Sequence, residues 1–459
     1  MNINFDASLI KKYDTFGPRY TSYPTALSFN PSFKELDYRD ELALSNQTNK
    51  PISLYFHIPF CKSLCYYCAC AKIITHKNER TIPYLEHLTS EIKQQAKLVG
   101  SKRTVTQLHL GGGTPTYLSD DQLASLMQSV YDNFNVADAN TREFSIEVDP
   151  RAVRPTTIPL LHELGFNRIS LGVQDFDPKV QQAVNRIQTI EQTFDVLDAA
   201  REMGYRSSNI DLIYGLPFQS VDSFAKTLDI VLGKRPERLA IYNYAHMPNK
   251  VKAQQLIITA DLPSAKTKLA ILEMTIKKLQ AAGYVYLGMD HFALPTDELA
   301  IAKKEGSLQR NFQGYSTHAD SDLIGMGMTS ISKIGNCFAQ NSREEKSYFE
   351  LIKSGHLATN KGYRLTIDDQ IRRDVIQSLM CQTEVNYQDI NQIHQINFAD
   401  YFQSEIAALA EMANDGLLSI DPDKIIVNPT GQLLLRNIAM IFDAYLKPSE
   451  SIIQFSKVI

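Results

Sequence analysis

The chain has 459 residues, more than one ordinary hydrophobic core can use, so it holds two or three domains or one large α/β barrel with additions. Its 44% apolar and 21% charged residues describe a soluble globular protein and exclude a disordered or membrane chain. A net charge of -4 excludes global attraction to nucleic acid or anionic lipid, so any anionic substrate must be met by local bases. The N-terminus MNINFDASLIKKY lacks the basic, apolar and small-residue order of an export signal, and no run of about eighteen apolar residues occurs. The expected location is therefore the cytoplasm, where six cysteines in so long a chain are not a disulfide framework.

Taken in chain order, the first feature is an arm, GPRYTSYP from Gly17 to Pro24, whose prolines and glycine predict an extended loop and not a packed element. From residue 52 to about 245, short apolar strands alternate with amphipathic helices. Strands are predicted over Ile52–Ile58, Gln107–Leu110, Phe144–Val148, Arg168–Val173, Asn209–Ile213 and Leu239–Tyr244. Between the second and third, Leu123, Leu126, Met127, Val130, Tyr131 and Phe134 share one helical face. Ser119 with Gln122, and later Thr189 with Gln192, supply capping boxes at helix starts. Six strand-helix units with right-handed crossovers predict a parallel sheet covered by helices, an incomplete (β/α)6 barrel.

Polar or glycine-rich residues follow nearly every strand: the cysteines, Gly111-Gly-Gly-Thr-Pro115, Asp149, Gln174, Gly215 and His246. In barrels of parallel strands this carboxyl-end face is where ligands bind. Beyond about residue 345 the texture turns helical (Ile371, Val375, Leu379). A hairpin over Leu417–Ile420 and Ile425–Val427 follows, then a helix over Leu433–Tyr445. A helix with a wing suggests DNA binding, but six Lys/Arg against eleven Asp/Glu from Ile371 onward is the wrong sign for a phosphate backbone. The expected organisation is an N-terminal arm or lid over 1–45, a catalytic barrel with its extension over 46–345, and a mainly helical domain over 346–459 that covers the active site.

Four cysteines lie within ten residues, CKSLCYYCAC from Cys61 to Cys70. Structural zinc usually takes two well-separated pairs of ligands. Here Cys61, Cys65 and Cys68 wrap one tight loop directly after an apolar strand, which suits one face of a cubane cluster and leaves one iron without a protein ligand. Spacing alone keeps three readings open: an iron-sulfur site, zinc with Cys70 as fourth ligand, and redox or structural thiols. The neighbours favour the first. Tyr67 can pack on a purine, and Gly111–Gly113 let backbone groups approach an amino acid head group closely. Each of these alone reads more readily as a core tyrosine or a tight turn.

With these residues in view, Cys61-x3-Cys65-x-Tyr-Cys68 in a partial barrel resembles the radical S-adenosylmethionine (radical SAM) superfamily, and within it the oxygen-independent coproporphyrinogen III oxidases. The resemblance runs nearly end to end: GPRYTSYPTA, YFHIPFCKSLCYYCACAK, LHLGGGTPTYL, SIEVDPR, SLGVQDF, NIDLIYGLP, NYAHMP, GMDHFA, DLIGMG and the terminal FSKVI. It implies that Cys61, Cys65 and Cys68 hold one 4Fe-4S cluster whose open iron chelates S-adenosylmethionine, and that cleavage of this cofactor gives a 5'-deoxyadenosyl radical. By the same resemblance the radical takes a hydrogen from a substrate propionate. Loss of carbon dioxide and an electron then leaves a vinyl group, and two such steps turn coproporphyrinogen III into protoporphyrinogen IX in haem biosynthesis.

The family binds two S-adenosylmethionine molecules. Tyr55, Gly112, Glu147 and Ile331 match the positions for the first, and Tyr67, Gly113, Thr114, Gln174, Arg186, Asp211 and Ala245 those for the second. Glu147 suits the two ribose hydroxyls, and Asp211, flanked by apolar residues, is costly without a partner. Arg19 and Arg310 are candidates for the substrate carboxylates, although a lone arginine is usually a solvated surface residue. No general base stands out, and His57 and His291 are read as orienting loops. The resemblance further implies an unidentified electron donor such as a flavodoxin-type reductant, a monomer, and no nucleic acid or membrane partner. Two positions depart from the family form, Ala69 for a common glycine and His318-Ala319 for a glutamine-glycine pair. The alternative is a haem-binding chaperone paralogue; such paralogues typically lack the arm and the cysteine matching Cys70, and this chain has both.

Overall fold

The computed structural model describes residues 3–318 and 321–446. Ala319 of the His318-Ala319 pair and the terminal FSKVI lie outside the described residues. All six expected strands form, each within a few residues of its predicted ends: β1 (Ile52–Ile58), β2 (Thr104–Gly112), β3 (Glu143–Val148), β4 (Arg168–Gln174), β5 (Ser207–Tyr214) and β6 (Arg238–Asn243). They pair in parallel in that order. Helices Ile82–Val99, Asp120–Asn133, Ile190–Glu202 and Val221–Lys234 fill the crossovers, the second and third opened by the expected capping boxes.

The sheet is larger than the six units. β7 (Val285–Gly288) and β8 (His291–Ala293) add antiparallel beyond β6. On the other side β9 (Asp322–Met326) pairs parallel to β1, followed antiparallel by β10 (Ile331–Ile334), β11 (Cys337–Asn341) and β12 (Thr359–Arg364). Among the described residues the sheet does not close on itself, because β7 and β12 are its ends. The parallel strands therefore form an open barrel, in line with the incomplete barrel expected. The antiparallel hairpin Gln309–Asn311 and Gly314–Ser316 belongs to a separate two-stranded sheet.

A second core gathers Leu287, Leu299 and Leu308 with Ile371, Leu379, Leu409, Leu418, Ile438 and Phe442. Two expectations are corrected here. The arm carries no regular element, yet it is packed: Tyr20 and Tyr23 are buried in this second core. Tyr20 donates to Asp443 (2.9 Å), the Ala444 amide donates to the Tyr23 hydroxyl (3.1 Å), and Arg436 donates to the carbonyl of Pro18 (2.9 Å). The expected helix over Leu433–Tyr445 is only Leu435–Met440, after a 3-10 turn at Gly431–Leu434. Asp443 ends it by accepting from both Tyr20 and the Tyr445 amide, a local competition that favours a turn. No helix among the described residues is long and apolar enough to cross a membrane.

One buried ion pair joins β9 to the start of the barrel. Arg103, 1% exposed, meets Asp322 at 2.7 Å and donates to the carbonyl of Lys50 at 2.8 Å, while Asp322 also accepts from Ser45 and the Gly335 amide. Arg103→Met should leave an uncompensated buried carboxylate and cost about 3 kcal/mol of stability, largely recovered when Asp322→Asn is added. Urea unfolding of the single and double variants checks this, and a double variant no more stable than the single one would contradict it.

Candidate active site

The loop from Cys61 to Lys72 is pinned at its base. Phe60–Cys61 pairs in parallel with Ile73–Ile74, and the amides of Ile73 and Thr75 donate to the carbonyls of Pro59 (2.7 Å) and Cys61 (3.0 Å). The loop after β2 is fastened to the same segment: Gly113 donates to the carbonyl of Ile58 (2.8 Å) and Thr114 to that of Phe60 (2.9 Å). Only glycine fits here. A Cβ at Gly113 would lie 2.7 Å from the Pro59 carbonyl, and Gly112 has φ +112 with the ring of His57 2.6 Å from its would-be Cβ.

Cys61, Cys65 and Cys68 line one cavity of about 330 Å³ at the carboxyl ends of the strands. Among the described residues, no three His, Cys, Asp or Glu side chains close on a point that would hold a single metal ion. Cys70 lines the same space as the other three. Donors point at their sulfurs: Thr114 Oγ1 lies 3.4 Å from Cys61 Sγ, and Arg151 and Arg186 each lie 3.5 Å from Cys65 Sγ. A hydrogen bond from Cys70, outweighing burial and helped by Lys72, draws Cys68 toward its thiolate, whereas burial pushes Cys61 up to about 11. Cys70 itself is exposed.

Of the residues expected at the site, Tyr67, Gly112, Gly113, Thr114, Glu147, Gln174, Arg186 and Asp211 line this same cavity. Three do not. Tyr55 lies beneath it, stacked on His109 (5.9 Å between centroids) and hydrogen-bonded to His57 (3.1 Å). Ala245 is tied to the rim through Gln254, whose amide donates to the carbonyls of Ala245 (3.1 Å) and Tyr67 (3.0 Å). Ile331 packs with Phe29 and Phe338, its carbonyl 2.7 Å from a Cβ built on Gly325, the β9 partner of Tyr55. His57 holds the loop as expected, its Nε2 2.9 Å from the carbonyl of Ala71.

Asp149, read as one of the polar residues at the strand ends, completes the wall together with residues the sequence reading passed over, notably Lys72, Arg151, Ser170 and Tyr242. Asp149 bridges Arg151 (2.7 Å) and Arg186 (3.2 Å), and although burial pushes its carboxyl up, the two guanidinium groups pull it down to about 2. The signal for these residues was in the strands. Glu143, Ser145 and Glu147 on β3, Arg168, Ser170 and Gln174 on β4, and Asn209 and Asp211 on β5 repeat every second residue, the phase of a sheet face that points inward. All of them but Gln174 line a further polar space of about 170 Å³ beneath the cavity, which shares Glu147, Ser170, Asp211 and Tyr242 with it. Gln174 takes a left-handed φ of +70 at a register shift between β4 and β5, so its side chain is re-aimed at the rim.

Glu147 accepts from the Gly112 amide (3.0 Å) and sits 3.6 Å from His109; burial pushes it up, but these partners hold it below the usual carboxylate range. Asp211 goes the other way. Burial and the nearby Glu147 raise it to about 6 even though Ser170 (3.0 Å) and Asn209 (2.8 Å) donate to it. The Nε of Arg186 is buried without a hydrogen-bond partner, a donor aimed for a bound group to satisfy.

An open sheet of parallel strands with three thiols on the loop after its first strand is the arrangement of radical SAM proteins, and residues 55–231 match the Radical SAM superfamily model. Residues 365–434 match the HemN C-terminal domain. The chain is 48% identical over 457 residues to the oxygen-independent coproporphyrinogen III oxidase of Pseudomonas aeruginosa, covering 100% of this chain and 99% of that protein. It is 49% identical over 458 residues to that of Escherichia coli, with the same coverage. The solved structure of the E. coli coproporphyrinogen III oxidase (HemN), described as a radical SAM enzyme, superposes with a TM-score of 0.93 at 48% identity, covering 97% of this chain and 100% of that one. The chain belongs to the oxygen-independent coproporphyrinogen III oxidase family.

The raised Asp211 has a sign that can be checked. Its folded value lies above the unfolded value of about 4, so its full stabilisation is present below about pH 4 and is lost as pH rises through about 6. At neutral pH the ionised group costs on the order of 2 kcal/mol. Asp211→Asn, without ligands, should therefore melt above wild type at about pH 7.5, with the gap closing between about pH 6 and 4. Calorimetry at both ends of that range decides, and a gap independent of pH would contradict the assignment.

Proposed function

We propose that the chain carries out the anaerobic oxidative decarboxylation of two propionate side chains of coproporphyrinogen III to vinyl groups, giving protoporphyrinogen IX. The observation that carries this reading is the single cavity that brings Cys61, Cys65 and Cys68 together with Glu147, Arg186 and Asp211. The sulfur-directed donors and the unpartnered Arg186 Nε fit a 4Fe-4S cluster and S-adenosylmethionine. With these bound, the cluster supplies the electron that cleaves the cofactor and so begins hydrogen removal from substrate.

The protein's part is positioning. Cys61, Cys65 and Cys68 hold the cluster; Arg151 and Arg186 donate toward Cys65 and offset thiolate charge. Tyr55, Gly112, Glu147 and Ile331 serve one S-adenosylmethionine molecule, with Glu147 accepting from ribose hydroxyls. Tyr67, Gly113, Thr114, Gln174, Arg186, Asp211 and Ala245 serve the second. The apolar roof of Tyr244, Val180 and Leu216, packed against Tyr66 and Tyr67, keeps water from that rim. The working form is a cytoplasmic monomer fed by an electron donor such as a flavodoxin-type reductant. The arm over 1–45 and the C-terminal domain over 346–459 cover the barrel of 46–345, and β12 extends the barrel's own sheet.

Anaerobically reconstituted protein with S-adenosylmethionine, a reductant and coproporphyrinogen III should form protoporphyrinogen IX and methionine. Turnover of neither, alongside tight haem binding, would replace this reading with the chaperone. Cys70→Ser should keep the iron content of wild type, whereas Cys61→Ser, Cys65→Ser and Cys68→Ser should each lose the cluster's visible absorbance. Equal iron loss in all four variants would return the site to four thiolate ligands.

A further inference from the structure

A second, larger cleft of about 1270 Å³ opens on another face, bounded by Tyr23 of the arm, the segment from Lys303 to Phe312, Lys333 and Phe338 of the sheet extension, and helix Ile367–Gln382. Its charges are unequal in their engagement. Four of its carboxylates are already paired: Asp322 with Arg103, Glu41 with Arg364, Asp374 with Arg373 and His394, and Glu384 with Lys424. Among its cations, Arg310 and Lys333 are buried or half-buried and lack such a partner. Arg310 is 6% exposed, its Nε and Nη1 are buried without any hydrogen-bond partner, and among the described residues no carboxylate pairs with it. The Lys333 side chain makes no hydrogen bond or ion pair among the described residues, and burial with the nearby Arg373 pushes its amine down to about 8 although Asp322 and Asp374 act the other way.

Arg310 is held in place from both sides. It pairs with Tyr315 across the hairpin, its guanidinium lies 4.8 Å from the centre of that ring, and Gln377 donates to its carbonyl at 2.8 Å. A rigid, desolvated guanidinium with free donors is expensive unless an anion reaches it. The cleft exceeds what a drug-sized ligand fills. Phe312, half-buried, offers an aromatic surface beside the cations, a pairing that suits a flat macrocycle with acidic arms. Asn311 is common to this cleft and to the polar space under the cysteine cavity, so the cleft adjoins that space.

We propose that this cleft binds the tetrapyrrole through the two carboxylates that are never converted, with Arg310 as a fixed bidentate partner and Lys333 as a second. This rests on the decarboxylase reading, in which two of four propionates keep their charge from substrate to product. A holder for those two serves substrate and product alike, and it leaves the reacting propionates free.

The test titrates full-length protein with coproporphyrin III, which has four carboxylates, and with protoporphyrin IX, which has two, by fluorescence quenching. Arg310→Gln should weaken both about thirtyfold, the low end of the effect of removing one partner of a buried charge pair, and Lys333→Met should weaken both about fivefold. In turnover, both variants should raise the KM for coproporphyrinogen III with little change in kcat and unchanged affinity for S-adenosylmethionine. Unchanged affinity for both porphyrins in a turning-over enzyme overturns the proposal, and loss for coproporphyrin III alone overturns the assignment to the retained carboxylates. If wild type binds both porphyrins in an Arg310-dependent way but decarboxylates nothing, the decarboxylase reading fails and the carboxylate site stands. Should Arg310→Gln not fold, the half-buried Lys333→Met decides by itself, and undiminished porphyrin binding in it overturns the proposal.

Discussion

The site depends on two backbone hydrogen bonds that continue the pairing of β1 and β2 past the ends of both strands. Gly113 to Ile58 and Thr114 to Phe60 tie the glycine loop to the base of the cysteine loop. They set where Cys61 begins and bring Thr114 to its sulfur. The approach is so close that a single methyl at Gly113 would occupy the space of the Pro59 carbonyl. The third glycine-loop constraint is electrostatic, since the Gly112 amide is the donor that helps keep Glu147 ionised. The thiols, the carboxylate and the head-group cradle are thus placed by one short stretch of shared backbone.

Around that stretch the barrel fills its interior with polar groups. Charges placed there are tolerated because each meets a fixed counterpart: Arg168 with Glu143 and Glu298, Arg238 with Asp297, and Asp149 with Arg151 and Arg186. Asp211, Arg186 Nε and Arg310 break that rule in the same way, each retaining desolvated polarity without full satisfaction. A folded chain keeps such costs where a ligand will relieve them.

The sequence was most readable where burial follows a simple period. The six parallel strands and their capped helices emerged from apolar runs and turn residues, because β3 to β5 obey the two-residue phase, β1 is one apolar run closed by Pro59, and the crossovers obey the helical period. β9 escaped notice: buried along its whole length, it carries no alternation and is interrupted by glycine. The arm was read as loose because prolines and glycine exclude regular structure, but exclusion of a helix does not imply exposure, as Tyr20 and Tyr23 show. At the site, most residues lining the cysteine cavity were reached through family resemblance and Asp149 from its place at a strand end, while Arg151, Ser170 and Tyr242 were missed although they sit near strand ends or on a strand. Arg310 was named, but its burial and lack of partners are tertiary facts that no local pattern encodes.

The fastening of the arm to Asp443 and Ala444 also has a meaning in time. Tyr20 and Asp443 are 423 residues apart, so their contact closes nearly the whole polypeptide into a ring. Loops of that length close late, after the locally connected barrel can already have formed. During synthesis the cysteine loop and its sheet are therefore complete while the second core still lacks its last side chains. The clasp makes enclosure the final act of folding. Tyr20 and Tyr23 on one side and Asp443 and Ala444 on the other are bound into it, and the loss of either segment uncovers the same apolar surface.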